Sequence, residues 1–218
     1  MSSARPSTRL VLAVSLDGRL APPQGGAAQI GGRGDRRVLE EALAWADAAL
    51  LGAETLRRHG TTCLIHAPDL LAARAAEGRA PQPLALVASR SGVIPPYLPF
   101  FHQPLERWLL APAAVAGGAR ALGFTRGVPL ADWSAALQQL AVLGLERLVV
   151  LGGAALAGSL LAEGLLDELQ LTLCPRVLGG SHTWLPAGVE LDPSTWKLRE
   201  QRPLAGGEVL LRYGSAAG

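Results

Sequence analysis

The sequence has little of what would direct it to a membrane, to nucleic acid or to a disulfide-stabilised fold. Only two of its 218 residues are cysteines, Cys63 and Cys174, and they lie far apart in a chain long enough to bury a core, so we expect reduced thiols. The formal net charge is +2, and no five or six basic residues cluster, which argues against a nucleic-acid partner. The expected partner is a small molecule.

Long hydrophobic runs are also lacking. The most apolar uncharged stretch lies between Arg147 and Glu163, contains glycine and falls short of the roughly 20 residues that span a bilayer, so we expect no membrane partner. The apolar run behind the N-terminal MSSARPSTR is too short for a signal peptide, which predicts a cytoplasmic protein. Hydrophobic residues still make up 49% of the chain, enough for a substantial core.

Apolar runs alternate with amphipathic segments along the chain, and no internal repeat or polar linker divides it. The predicted strands are 8–15, 47–52, 84–89, 107–112, RLVVLGG (147–153) and DELQLTLCP (167–175). The predicted helices are 34–46, with Asp35 as a plausible cap, 53–60, 130–144 and 155–164.

The order of these elements predicts the fold class. Two alternating runs around PLAGG, in the stretch from Trp196 to Gly214, predict a β-hairpin. Strands that alternate with helices predict an α/β three-layer sandwich with a mostly parallel central sheet, the antiparallel C-terminal hairpin lying at its edge. We expect a single domain over residues 1–218.

Two adjacent glycines, Gly152 and Gly153, separate a predicted strand from an uncharged predicted helix. Unpaired backbone N–H groups and the helix dipole favour an anion at such a junction, and glycine lets a ligand approach the backbone closely. The spacing does not match G-x-G-x-x-G, and no lysine follows Gly158, so neither a Rossmann nor an ATPase site is predicted. The alternative interpretation is a tight turn that packs on a neighbouring element.

Other polar residues allow both a functional and a structural interpretation. Ser89 and Arg90 follow a strand, where an adenosine 2′-phosphate could be held, although a solvated turn is the commoner case. Asp17 could act as a general acid, but Asp-Gly after a strand is first of all a turn signal. A zinc site at His59, Cys63 and a nearby His66 lacks a fourth ligand, so no metal is predicted.

Three stretches together resemble a known family. AVSLDGRLA, DAALLGAETL and VLGGAALAGSLLAEGLLDELQLTLCPRVLGG look like the reductase domain of the riboflavin-biosynthesis deaminase-reductase, the RibD C-terminal family, in the family's order. This resemblance implies a dihydrofolate-reductase-like fold and a homodimer. The zinc deaminase half of bifunctional members is missing here, so a stand-alone reductase domain is expected.

The resemblance implies NADPH as cofactor and assigns residues to both halves of a site. NADPH would reduce the ribosyl group of a ribosylamino-pyrimidine phosphate to ribityl by hydride transfer. The positions implied for the cofactor are Ala13, Gln29, Thr55, Ser89, Arg90, Gly152, Gly153, Ala154, Ala155, Leu156, Ala157 and Ser159. The positions implied for the substrate are Ala27, Leu43, Cys63, His66 and Leu151.

Several of these positions depart from the family's residues. Gln29 stands in place of a tryptophan and His59 in place of an aspartate. On the substrate side, apolar or imidazole side chains replace a serine, two arginines, a glutamate and a lysine, at Ala27, Leu43, His66, Leu151 and Val11. Since each charge-assisted hydrogen bond contributes about 1.5–3 kcal/mol, these losses weaken the predicted phosphate site unless His66, Arg57 or Arg58 compensates.

The candidate catalytic residues are His59 and Asp17. An imidazole near the nicotinamide can donate a proton at neutral pH, which favours His59. Two alternatives to the pyrimidine reductase remain open. One is a reductase of the same fold for another carbonyl, imine or pterin-like substrate, and the other is a non-catalytic nucleotide-binding paralogue.

Overall fold

The computed structural model describes residues 5–26, 30–186 and 188–216. Its strands are β1 (Ser7–Ser15), β2 (Ala48–Gly52), β3 (Leu84–Ala88), β4 (Arg107–Ala111), β5 (Arg126–Pro129), β6 (Arg147–Val150), β7 (Glu168–Cys174), β8 (Trp196–Pro203) and β9 (Val209–Ser215). Its α-helices are α1 (Arg33–Trp45), α2 (Ala53–His59), α3 (Pro68–Ala76), α4 (Ala113–Ala116), α5 (Trp133–Val142) and α6 (Ala154–Ala162). None of the helices described is long and apolar enough to cross a membrane.

The chain forms two compact units. Residues 40–149, with the N-terminal residues up to Ser7, form the first unit, and residues 8–39 with 150–218 form the second. Helix α1 contributes residues to both. The prediction of a single domain is not tested by this division.

The first unit is built on parallel strands. Strands β2, β3, β4 and β5 pair in parallel in that order, and β6 lies beside β2. Strands β2 and β3 are continuous apolar runs, as expected where both faces of a parallel sheet are covered. Leu50, Leu86 and Leu109 are completely buried at successive strands, and Leu137 and Leu140 of α5 are buried as well.

The second unit combines one parallel and two antiparallel strand pairs. β1 pairs in parallel with β7, whereas β7 pairs with β9 and β9 with β8 in antiparallel fashion. The segment PLAGG connects β8 to β9 and contains Gly206 and Gly207 at positive φ. The predicted α/β class, the mostly parallel sheet and the antiparallel C-terminal hairpin are therefore confirmed.

The start of α1 differs from the prediction. Asp35 lies in the first turn of the helix rather than at its cap. The carboxylate of Glu208 instead accepts hydrogen bonds from the backbone N–H of Gly32 (2.5 Å) and of Asp35 (2.9 Å). A cap supplied from 173 residues away along the chain has no local sequence signal. The prediction also missed α3 and β5, which are short.

Candidate functional site

The glycine pair directly precedes α6 in the second unit, two residues after Val150, the last residue of β6. Gly152 has φ +85° and Gly153 has φ +79°, both in the region that favours glycine. A Cβ at position 152 would lie 2.7 Å from Cδ2 of Leu12, so the turn packs closely on β1. The expected tight turn is therefore present, and it brings the junction close to the strand that carries Ala13.

The first turn of α6 has no side-chain cap. Gly153 occupies the N-cap position, and a helix leaves its first N–H groups without intrahelical partners. No charged residue lies in the first turn, and the positive end of the helix dipole therefore remains uncompensated there. The backbone of Gly153, Ala154 and Ala155 can donate to an anion.

The remaining α6 positions predicted for the cofactor differ in exposure. Leu156 and Ala157 are buried, 7% and 0% exposed, and contribute packing at that junction. Ser159 is exposed, and its hydroxyl donates to the carbonyl of Ala155 (2.9 Å), so it is directed along its own helix. The cofactor roles of these three residues remain predictions.

Four further predicted cofactor or substrate positions of the second unit lie before these glycines. Ala13 lies on β1 opposite Thr172 of β7, and Leu151 is half-buried directly after β6. The predicted positions Ala27 and Gln29 lie outside the described residues.

The carboxylate of Asp17 ties the turn after β1 to the segment after β7. It accepts hydrogen bonds from the Ser15 hydroxyl (2.5 Å) and from the backbone N–H groups of Leu178 (3.1 Å) and Gly179 (2.7 Å). These bonds, first that of Ser15, lower the pKa of Asp17 from 3.8 to about 2. The side chain therefore serves as a hydrogen-bond acceptor in a turn, and such an ionised group does not favour proton donation at neutral pH.

The first unit brings three predicted cofactor residues to one edge. Gly52 at the end of β2 pairs with Ala88 at the end of β3, so Thr55 in α2 and Ser89 with Arg90 follow neighbouring strand ends. Ligands commonly bind beyond the carboxyl ends of parallel strands.

The loop that begins at Ser89 is an ordered turn. The buried hydroxyl of Ser89 accepts a hydrogen bond from Gly92 N–H (3.0 Å). Arg57 of α2 donates from Nη1 to the carbonyl of Val93 (2.9 Å). Arg90 is exposed. The turn thus occupies the Ser89 hydroxyl as an acceptor but leaves the guanidinium of Arg90 at the surface.

His59 is the exposed last residue of α2, and Gly60 ends the helix with φ +74°. Partial desolvation, followed by the positive charge of Arg58, lowers the pKa of the imidazole from its ordinary value. The imidazole is accessible, but its lowered pKa reduces the fraction that is protonated at neutral pH, so the role of proton donor remains a prediction.

The predicted substrate residues of the first unit fall into two kinds. Cys63 and His66 are exposed on the segment between α2 and α3. Leu43 is completely buried in α1, at 0% exposure. Its side chain presents no surface to a ligand, so its placement does not support substrate contact. Within the described residues no group of three or more His, Cys, Asp or Glu could hold a metal ion.

Sequence reasoning missed the side chains that hold these site segments. Glu40, Gln82 and Gln103 all accept hydrogen bonds from the backbone between α2 and α3. No spacing along the chain could reveal them, since their partners lie between 17 and 41 residues away.

Comparison with known proteins identifies relatives. The 2,5-diamino-6-ribosylamino-4(3H)-pyrimidinone 5′-phosphate reductase of Methanothermobacter thermautotrophicus is 29% identical over 182 residues, which are 81% of each chain. The reductase of that name from Archaeoglobus fulgidus is 26% identical over 183 residues, 81% of this chain and 83% of its own. A solved pyrimidine reductase-like protein from Corynebacterium diphtheriae shares the fold, with a TM-score of 0.78 at 20% identity over 96% of this chain and 92% of that one.

The family model described as the RibD C-terminal domain matches residues 6–210. This range includes β1, the glycine junction, α6 and the first two residues of β9. The resemblance read from the sequence is confirmed. The chain belongs to the RibD C-terminal domain family.

Proposed function

We propose that this protein is an oxidoreductase of riboflavin biosynthesis, which uses NADPH to reduce the ribosyl group of a ribosylamino-pyrimidine phosphate to ribityl. The observation that carries the proposal is the uncapped N-terminus of α6 behind Gly152 and Gly153, in a chain of this family. The names of the two archaeal relatives, both pyrimidinone phosphate reductases, support this substrate class.

The residues of the glycine junction fit a nucleotide cofactor. The N–H groups of Gly153, Ala154 and Ala155 would donate to its pyrophosphate, and the glycines leave no Cβ in the way of that approach. NADPH, when bound, supplies the hydride, whereas the protein binds and orients it. Helix α6 contributes no acidic side chain in its first turn that would repel the phosphates.

The first unit offers a means to distinguish NADPH from NADH. The exposed guanidinium of Arg90 would pair with the 2′-phosphate, since arginine forms charge-assisted, often bidentate bonds to phosphate. Ser89 orders the turn that carries Arg90 through its bond from Gly92. Thr55, in the first turn of α2, would be the third cofactor residue of the first unit.

His59 would provide the proton for the reduced product. It is accessible, and its lowered pKa makes the imidazolium a stronger acid than an ordinary histidine. Asp17 would not transfer a proton. Its carboxylate accepts three hydrogen bonds and would hold the turn after β1 in place.

A reductase for a different carbonyl, imine or pterin-like substrate is the second candidate. It is favoured by the apolar character of two predicted substrate positions, the fully buried Leu43 and the half-buried Leu151. Neither side chain can bind a phosphate. A nucleotide-binding protein without catalysis would be the outcome if NADPH binds and no such substrate is reduced.

The test is oxidation of NADPH by the purified protein with two phosphorylated pyrimidines. These are the diamino-pyrimidinone named for the archaeal relatives and its deaminated uracil counterpart. We expect one of them to be reduced, and phosphate or ribose 5-phosphate to compete with it. NADPH binding without oxidation of either pyrimidine would contradict the proposal and favour the second candidate.

The proposal also covers the organisation of the protein. Residues 1–218 would act as one reductase domain in a homodimer, as the family resemblance implies. The need for NADPH would place the reaction in the cytoplasm. Sedimentation of the purified protein at several concentrations would test the dimer, and a monomer at all of them would contradict it.

A further inference from the structure

An extended segment, residues 61–67, connects α2 to α3 in the first unit. It follows Gly60, which ends α2, and it leads into Pro68 at the start of α3. The segment is in no helix or strand, yet some of its residues are buried and others are exposed. Thr62 and Ile65 are 8% and 2% exposed, whereas Cys63 and His66 are exposed.

Two glutamine side chains pair with this backbone as a neighbouring strand would. Gln103 accepts from Thr62 N–H and donates to Thr62 C=O, both at 2.9 Å. Gln82 does the same with Ile65, both bonds at 2.8 Å. A side-chain amide offers one acceptor and two donors, so one glutamine satisfies both backbone groups of a residue.

A buried carboxylate holds the end of the 61–67 segment. Glu40 is 5% exposed, and its Oε2 accepts from the N–H groups of His66 and Ala67, both at 2.8 Å. Hydrogen bonds to a charged acceptor are stronger than those between neutral groups. The backbone beneath the His66 side chain is therefore fixed at two consecutive amides.

We propose that Glu40, Gln82 and Gln103 are positioning residues that hold the 61–67 segment so that His66 and Cys63 face the phosphorylated end of the substrate. The identity of that substrate rests on the proposed function. This role accounts for the hydrogen bonds that three polar side chains make to one short segment. Buried backbone N–H and C=O groups without hydrogen-bond partners destabilise a fold. In the 61–67 segment, side chains rather than a neighbouring strand provide those partners.

The kinetic test uses Gln82→Ala, Gln103→Ala and Glu40→Ala, with Glu40→Gln as the conservative variant and Gln138→Ala, an exposed position of α5, as the control. Loss of one or two hydrogen bonds under a ligand-binding side chain should raise KM for the pyrimidine phosphate about tenfold. We expect little change in kcat or in the Kd for NADPH, and partial rescue in Glu40→Gln. An unchanged KM, or an equal loss in NADPH binding, would overturn the proposal.

The second arm needs no turnover, and its first measurement uses the unaltered protein. Cys63 is the exposed cysteine, whereas Cys174 is buried and burial raises its pKa to about 12, so alkylation at neutral pH reports on position 63. Ribose 5-phosphate should slow alkylation of Cys63 in the unaltered protein, and His66→Ala should abolish that protection. Protection without any pyrimidine reduction would support the inference while the proposed function fails. Absence of protection would overturn the inference even if the reductase is active.

Discussion

Helices α5 and α6 both follow a strand, but their N-termini are built differently. At α5, the carboxylate of Asp132 accepts a hydrogen bond from Ala135 N–H at 2.7 Å. At α6, Gly153 stands in the same place and provides no side chain. Both helices are largely apolar, so the difference lies in the junction and not in the helix.

This difference separates a capped helix start from the uncapped one that binds the cofactor in the proposed function. A side-chain cap satisfies an N–H group and compensates the dipole, which stabilises the helix but leaves less for a ligand. The glycines before α6 provide no such stabilisation. They adopt positive φ angles, and because they lack a Cβ a ligand can approach their backbone closely. No side chain caps α6, so its first N–H groups would be available to the anion of the proposed function.

The largest expected effect comes from giving α6 the acidic residue that α5 has. Gly153→Asp would place a carboxylate where the phosphates are expected, and NADPH affinity should fall about a thousandfold through loss of about two charge-assisted bonds. Fluorescence titration with NADPH measures this. Gly153→Asn is the matched control, because it adds the same backbone strain at φ +79° without the charge. Equal losses in the two variants would show that charge plays no part.

Replacement of His59 should have the next largest effect. If its imidazole donates the proton, His59→Ala lowers kcat about a hundredfold and leaves NADPH binding intact. In the unaltered enzyme kcat should fall as pH rises through a pKa below the ordinary 6.5, because the protonated form is the active one. A loss of less than about tenfold, or an unchanged pH profile in His59→Gln, would remove His59 from the mechanism.

The converse change at α5 should affect stability alone. Asp132→Ala removes the cap and should lower the free energy of unfolding by about 1 kcal/mol. The denaturation midpoint in urea measures it. NADPH affinity should be the same as in the unaltered protein, and a weaker Kd would contradict the division between the two helix starts.

The smallest effect concerns the pH dependence of stability at Asp17. Because folding lowers its pKa from 3.8 to about 2, the stabilisation it gives is fully present above about pH 5 and is lost as pH falls toward 2. The difference in Tm between the unaltered protein and Asp17→Asn should therefore be constant near neutral pH and shrink below about pH 4. A difference that grows on acidification would have the wrong sign.

Much of the fold could be predicted because it depends on local patterns. Buried strands such as β2 and β3 are continuous apolar runs, α2 ends at a glycine, and the hairpin of β8 and β9 alternates around PLAGG. The glycine junction before α6 was identified for the same reason, since glycine next to glycine implies unusual backbone angles.

The parts that failed depend on distant contacts. Asp35 resembles a helix cap in sequence, but Glu208 performs that task. Leu43 was assigned to the substrate through the family resemblance, and its side chain is completely buried. Similarly, Gln82 and Gln103 look like ordinary surface residues until the fold brings them to the 61–67 segment. No local pattern contains this information.

The most direct test of the central claim follows backbone amide NMR signals during titration with NADPH. The account predicts that the signals of Gly153, Ala154 and Ala155 shift strongly, while those of Trp133 and Ser134 at the start of α5 do not. Shifts confined to α5, or none at the start of α6 when NADPH binds, would contradict the claim that the uncapped N-terminus of α6 holds the cofactor.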